Sequence, residues 1–590
     1  MTVERASADK TTRERRWRRL IGRAGGATCV LTIALTGSAR MQVKDFTPVT
    51  DEALRRPDAG DWINWRRTAD GQGYSPLNQI TRQNVSRLRR VWTTESPTGV
   101  GQQSPLVYRG VMYWPTNTGV RALDGATGAV LWEFRTRDPQ PTDKRAPSQS
   151  YGVARRNIAI HGDKIFAATT DAHLIALDAR TGALVWDHPV ADPKLGYLYS
   201  SGPIIARDKV IAGITGCDRY KNDVCFISAH DVNTGRELWR TSTVARPGEA
   251  GGDSWGELPL LLRAGADAWI PGSYDASTNI VFWSTAQAKP WSSAQRGTTA
   301  AALYTNCTLA IDATTGKLLW YYQHIPGETH DLDEVFESVL VDEGDRRSLF
   351  KMGKIGVLWE LDRQTGKLLA GHDTGYQNVV TFDAKTGAGV LVPERVPKLG
   401  VQVEYCPGPG GLKNLFAMAY HPETRAFYIP LKVSCAKSTF LPMKDPVAIG
   451  GGGVGPSTRD VQPHPKLPTS IGEFIAMDSR TGKIVWRRPS RLPYNTSALT
   501  TGGGLVFVGD IEGRFFGMNT ATGEVLWETK AASAADGFPI TYAVNGKQYL
   551  AVPSGPGWFL NWTQVQMQAP EFKRPKPVGS AVHVYALPEG

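Results

Sequence analysis

The sequence predicts an all-β fold, an eight-bladed β-propeller of four-stranded blades with tryptophan-docking repeats. Three observations predict it. A motif of the form apolar-x-Asp-x-x-Thr-Gly-x-x-apolar-Trp recurs along the chain, with its clearest copy at 310–320, AIDATTGKLLW. The composition is that of a turn-rich protein with aromatic packing, 62 Gly, 38 Pro and 18 Trp in 590 residues. The repeat spacing, about 40–55 residues where it is regular, suits one four-stranded blade per repeat. A repeat array also explains how so long a chain can form one domain.

Within the motif, the alternating flanks read as two strands and the Thr-Gly as the turn between them. Glycine supplies the positive φ that such a turn needs, and the tryptophan is large enough to pack on the next sheet. The turn glycines are Gly128, Gly182, Gly235, Gly316, Gly366, Gly482 and Gly523. Six are followed by Trp, at 132, 186, 239, 320, 486 and 527, and Ala370 takes that place in the fifth copy. The gap from Gly366 to Gly482 is double length. Tyr420-His421-Pro422-Glu423-Thr424-Arg425 within it reads as a decayed eighth copy.

The chain divides into an export signal (1–39), a linker (40–60) and the propeller (61–590). Arg13 to Arg23 is basic, Gly25 to Thr36 is small and apolar, and Gly37-Ser38-Ala39 offers cleavage after Ala39. The apolar run is too short to span a bilayer, and no other stretch could anchor the chain. Asp61-Trp62-Ile63-Asn64-Trp65 opens the propeller, and Val582 to Leu587 reads as a last strand that closes the ring beside the N-terminal segment. The wider spacings mark insertions at 251–290 and 327–345, and insertions in a repeat array usually gather on one functional face.

The net charge is +11, of which +5 lies in residues 1–39, where eight Lys/Arg stand against three Asp/Glu. The remainder is spread out with no basic stripe, which argues against nucleic acid as a partner. Six cysteines are present. Cys29 leaves with the signal, Cys217 and Cys225 are close together, Cys406 and Cys435 are farther apart, and Cys307 is left over. No Cys-x-x-Cys-His occurs, so there is no c-type haem attachment site. The best candidate for chemistry is Thr329-His330-Asp331-Leu332-Asp333. A turn there would bring Asp331 and Asp333 to one ion. Alternatively, Asp333 caps a helical turn beginning at Glu334.

Together, the Thr-Gly-x-x-x-Trp repeats and the segments below resemble the quinoprotein alcohol dehydrogenases, eight-bladed propellers carrying pyrroloquinoline quinone (PQQ) and a metal ion. The resemblance covers residues 60–590. PQQ is a planar tricarboxylate with an ortho-quinone, so its site needs an aromatic floor, cations and a Lewis acid. Gly251-Gly252-Asp253-Ser254-Trp255 resembles the floor segment, which implies Trp255 beneath the ring. Ala154-Arg155-Arg156-Asn157 resembles the segment whose arginine, here Arg156, holds a PQQ carboxylate. Phe350 to Gly356 resembles the segment whose cation, here Lys354, touches the quinone oxygens. Ser200, Thr215 and Gly216 fall in the segments that line PQQ, Gln102 falls where the family has a glutamate, and Asn414 and Trp558 match residues near the quinone.

For the metal, the resemblance implies Asp218 in place of a glutamate, Gln287 in place of an asparagine, and Asp331 and Asp333. All are oxygen donors, as a hard cation requires. Calcium is expected, with a lanthanide as the alternative because Asp333 resembles the arrangement of lanthanide-using members. Asp331 matches the general base, with His330 where a tryptophan is usual. Ser150-Tyr151 stands where the family often has adjacent cysteines, and Leu415 and Asn495 where it has tryptophans.

The function so implied is a periplasmic PQQ-dependent alcohol dehydrogenase that passes electrons to a separate cytochrome c. Members oxidise primary, polymeric and bulky secondary alcohols, trichothecene mycotoxins among them, and a pocket with fewer large walls favours a bulky alcohol. The rivals are a non-catalytic propeller, as an assembly scaffold or ligand-binding module, and a sugar dehydrogenase. The expected disulfides are Cys217–Cys225 and Cys406–Cys435, the second resembling a bridge of the family, with Cys307 free.

Overall fold

Each repeat becomes one antiparallel sheet. In the first, Leu106–Tyr108, Val111–Thr116, Gly119–Asp124 and Val130–Arg135 pair in chain order, and Gly128 lies in the turn between the third and fourth strands. The structure is a computed structural model that describes residues 42–589 apart from 97–100, 137–155, 384–386, 445–452, 454 and 575–578. The export signal, Arg155 and Ser150-Tyr151 lie outside the described residues. Among these there are eight sheets of at least four strands, seven of which carry one Thr-Gly turn each. The eighth is built from both ends of the propeller: Arg89–Ser96 pairs with Ser580–Ala586, which pairs with Lys547–Gly555, which pairs with Ile540–Val544.

The count of eight therefore holds, but the decayed copy is not a blade of its own. Tyr420 to Arg425 joins Ala419–His421 to Ala426–Lys432, the first two strands of the sheet that the Gly482 turn completes. The long gap is filled by extra strands outside the blades, a hairpin at Val380–Phe382 and Gly389–Leu391 and a three-stranded sheet around Cys435–Phe440.

The motif explains itself at each turn. The Asp312 carboxylate accepts the Thr314 and Thr315 N–H groups and the Thr315 hydroxyl at 2.8–3.0 Å, and Asp178, Asp231 and Asp478 do the same in their copies. The Trp of one blade then covers the turn glycine of the next. Trp132 lies on Gly182, Trp186 on Gly235, Trp239 on Gly316, Trp320 on Gly366 and Trp486 on Gly523. The indole N–H of Trp132, Trp186, Trp239 and Trp486 donates to a carbonyl of that same turn at 2.9–3.1 Å. Where Ala370 interrupts the series, Gly482 meets the His372 ring instead.

Apolar clusters bridge each blade to the next, from the first two blades through Trp132 and Ile175 to the last pair and back to Trp114 through Val584. The expected linker is part of this body. Val43 and Val49 are buried with Tyr108 and Ile160, and Val49 exchanges two 2.8 Å backbone hydrogen bonds with Gly162. A helix, Asp51–Arg55, follows and is capped by the Thr50 hydroxyl. The short apolar side chains at 43 and 49 find a sheet edge, which a reading of local polarity does not reveal.

In a four-stranded meander the first and third turns lie at one end, and the second turn and the inter-blade connections at the other. Asp218, Gln287, Lys354 and Trp558 are in second turns; Gln102, Arg156, Ser200, Asp331 and Asn414 are in connections. All therefore fall at one end, opposite the Thr-Gly turns. A cavity of 1260 Å³ opens at the other end between Arg207, Asp275, Asp342 and Arg425 and contains none of them.

Candidate functional site

The segment 329–333 forms a turn, not a helix start. Asp331 has φ +67°, a conformation that costs a non-glycine residue about 1–3 kcal/mol and concentrates at functional sites. The buried Glu328 carboxylate holds the turn by accepting the His330 and Leu332 N–H groups. The result is that Asp331 and Asp333 face the same cation. Lys354 Nζ lies 3.2 Å from Asp331 Oδ1 and 2.9 Å from Asp333 Oδ2, and donates to the Asp331 carbonyl at 2.7 Å. Asp333 also accepts the Gln287 N–H at 3.2 Å, so its carboxylate is fully engaged and caps no helix.

The Gln287 amide meets Asp331 Oδ1, while Gln287 Oε1 is buried without a partner. Amide nitrogen and oxygen are interchangeable by a flip. The Gln287 oxygen can therefore join the carboxylates around a cation. Asp267, unforeseen in the sequence, accepts the Gly216 and Cys217 N–H groups at 2.9 and 3.0 Å. Lys289 is the second unforeseen member, and its ammonium feels Asp331, Asp333, Asp267 and Asp218 together.

Burial raises the Asp331 carboxyl above its ordinary range and the nearby Asp333 charge adds to this, while Lys354 and Lys289 oppose it. Burial acts to discharge Lys354, but Asp331 and Asp333 outweigh it and raise its pKa. Lys432 lacks such partners. Burial and the Lys354 charge push it down to about 7, and its ammonium lies 5.2 Å from the Trp558 ring. His330 is turned away from the carboxylates. It packs at a tilt against the Tyr405 ring, donates from Nε2 to the Arg395 carbonyl, and burial pushes it down to about 4, so it is neutral.

Arg156 is buried. Its Nη1 donates to the Ser200 and Trp269 carbonyls at 3.1 and 3.3 Å, its guanidinium lies 5.0 Å from the Trp269 ring, and its Nε has no partner. The aromatic beside Arg156 is therefore Trp269, half-buried and edge-on to Phe336, not Trp255. Trp255 is 0% exposed and its indole donates to the Leu303 carbonyl. The Gly-Gly segment thus does not bring Trp255 beside Arg156. The small residues of Ala264-Gly265-Ala266-Asp267-Ala268-Trp269, just before a blade strand, were the missed signal.

The remaining residues fall in the same region. The Ser200 hydroxyl donates to the Trp269 carbonyl at 3.4 Å and the Thr215 hydroxyl to the Leu198 carbonyl at 2.7 Å, so both act here on backbone. Gly216 takes φ +85° beside Asp267. Asn414 closes its own loop through Gly410 and Leu415, and that loop docks on Lys354 through the Leu412 N–H at 2.7 Å. Gln102 is buried at φ +84°. Both expected disulfides are present, Cys217–Cys225 behind Asp218 and Cys406–Cys435 behind the Asn414 loop, and Cys307 is free and buried. Among the described residues no helix is long and apolar enough to cross a membrane.

The donor set fits both groups that the sequence implies. Gln287, with its orphaned buried oxygen, lies with Asp331 and Asp333 and suits a hard cation, and Asp218 and Asp267 add negative charge nearby. A buried arginine with a free Nε beside a half-buried indole suits a flat polycarboxylate.

Comparison with known proteins gives the family. Residues 62–379 and 456–550 match the β-propeller domain model of PQQ-dependent glucose, ethanol and alcohol dehydrogenases. The chain is 32% identical over 523 residues to the quinoprotein alcohol dehydrogenase PedH of Pseudomonas putida, covering 82% of this chain and 84% of that one. It is 30% identical over 533 residues to the quinohemoprotein alcohol dehydrogenase ADH IIB of the same species, covering 86% and 76%. Its structure superposes on a europium-containing methanol dehydrogenase with a TM-score of 0.82 at 27% identity, covering 91% of this chain and 99% of that one. The chain belongs to the PQQ-dependent quinoprotein alcohol dehydrogenase family, and its activity is the PQQ-dependent oxidation of an alcohol.

Proposed function

We propose that this enzyme oxidises a bulky secondary alcohol in the periplasm, uses calcium, and passes electrons to a separate cytochrome c. The observation that carries the chemistry is the convergence of Asp331 and Asp333 on Lys354. Asp331 accepts the proton of the substrate hydroxyl, the one group in this turn placed by strain and favoured in its ionised form by an adjacent ammonium. Lys354 and Gln287 fix the orientation of that carboxylate. Asp218, Gln287, Asp331 and Asp333 would hold the metal, which would supply Lewis-acid polarisation. Arg156, Trp269, Gln102, Ser200, Thr215, Gly216, Asn414 and Trp558 would hold PQQ, which would supply the two-electron oxidant.

Calcium is favoured by charge. Asp218, Asp267, Asp331 and Asp333 bring four negative charges and Lys289 and Lys354 two positive ones, so the protein's share is 4 − 2 = 2 negative charges, which a divalent ion neutralises. A bulky substrate is favoured by Leu415 and Asn495, smaller than tryptophan and both buried. The periplasm is favoured by the basic and apolar N-terminus and by two disulfides.

The test is reduction of an artificial dye by the purified chain reconstituted with PQQ and either calcium or lanthanum, against alcohols graded from ethanol to polycyclic secondary alcohols such as trichothecenes. Highest kcat/KM for the large alcohols with calcium is expected. Preference for ethanol would overturn the substrate reading, and activity with lanthanum alone the calcium reading.

A further inference from the structure

The sequence nominated Gln102, Arg156 and Trp558 on three separate segments. The structure brings a fourth residue among them. Asp536 follows the short strand Ala534–Ala535 of the closing blade and is 1% exposed. The next residue, Gly537, is packed against the Gln102 backbone, where a Cβ would lie 3.1 Å from Gln102 Cα. On its other side is Gly101, where a Cβ would run into the carboxylate, and Gly555, which packs on Gly101 and whose Cβ would come within 3.2 Å of Asp536 Oδ2.

Neither Asp536 oxygen has a well-formed hydrogen bond, and the Gly557 N–H and the Asn495 amide approach it only loosely. The Asn495 amide, which faces Asp536, donates to the Ala535 carbonyl at 2.8 Å. Arg156 is the facing cation, yet among the described residues the two form no ion pair within 4 Å, and Arg156 Nε is orphaned as well. Two buried groups of opposite character, each with unused hydrogen-bonding capacity, thus lie within electrostatic reach of one another. Orphaned buried polar atoms are costly, about 1–3 kcal/mol each, and such a pair in a native protein points to a missing partner.

We propose that Asp536 is a cofactor-binding residue, a carboxylic acid that donates its proton in a hydrogen bond to a carboxylate of PQQ beside Arg156. The inference rests on the quinoprotein reading of the site. A carboxylate lying between them accepts from the guanidinium on one side and from the acid O–H on the other, which satisfies both. An ionised Asp536 would repel the same carboxylate. Burial pushes the Asp536 carboxyl up to about 8, against the pull of the Gly557 N–H, Arg156, Arg574 and Asn495, the polar and charged groups that face it. It is therefore the acid at neutral pH.

The test is a binding measurement without turnover. PQQ is titrated into the full-length protein prepared without cofactor, and quenching of tryptophan fluorescence is followed between pH 6 and 9. Wild-type affinity should be level up to neutrality and weaken about tenfold by pH 9, since ionising one group a unit above its pKa costs that factor. Asp536→Asn, which keeps a neutral donor, should bind with a level profile and surpass the wild type at pH 9. Asp536→Ala should bind more weakly at every pH. A level wild-type profile, or an Asp536→Asn variant that keeps the alkaline loss, overturns the proposal while leaving the cofactor reading intact. A wild type that binds no PQQ at any pH overturns both.

Discussion

Gly316→Ala tests the inter-blade joint that the repeat encodes. Gly316 has φ +74°, and an added Cβ would lie 2.7 Å from Trp239 Cδ2 and 2.8 Å from Cε3 and Cγ. The left-handed backbone costs an alanine about 1–2 kcal/mol. The ring must also move, and with it the indole hydrogen bond to the Ala313 carbonyl at 3.0 Å, worth about 0.5–1.5 kcal/mol. Some contact from a side chain only 8% exposed is lost too. The expected destabilisation is about 2–4 kcal/mol in chemical denaturation followed by circular dichroism. The backbone and ring contributions separate in a double-mutant cycle with Trp239→Leu, where a coupling of about 1–2 kcal/mol should appear. If Gly316→Ala costs as much in the Trp239→Leu background as in the wild type, the tryptophan is not what the glycine makes room for, and the reading of the motif is wrong.

Asp331→Asn should lower dye reduction by roughly 10²–10⁴-fold with PQQ binding retained; near-wild-type turnover would remove Asp331 as the base. Lys354→Met removes the charge that opposes the burial of Asp331. Asp331 works when deprotonated, so activity is lost as pH falls through its raised pKa, and the acidic limb of kcat/KM should move to higher pH; a limb that stays put or moves to lower pH would contradict the ion pair. Replacing Cys406 and Cys435 together by serine opens a closure spanning 29 residues, and should lower stability by about 3–4 kcal/mol on the loop-entropy estimate. An unchanged denaturation midpoint would refute that.

The propeller was legible in the sequence because its determinants are local or shared between neighbours. Asp312, Thr315 and Gly316 make one turn among themselves, and Trp320 reaches only the next turn, so a fixed spacing records the whole interaction. The residues of the site that match a family pattern were legible in the same way, as motifs within single segments. Three things were decided only by the tertiary structure. Val582 to Leu587 was read as a strand that closes the ring beside the N-terminal segment, but the pairing of that strand with Arg89–Ser96 and Lys547–Gly555 carries no motif, because these segments are far apart in the chain and met only when the ring shut. Residues 43–49 looked like a linker because the sheet edge that buries them, at Gly162, lies in another blade. Asp267, Lys289, Trp269 and Asp536 carry no period and no motif of their own. A charge or an indole takes its role from what it faces, and here the facing groups, Asp331 for Lys289, Arg156 for Trp269 and Asp536, come from other segments of the ring.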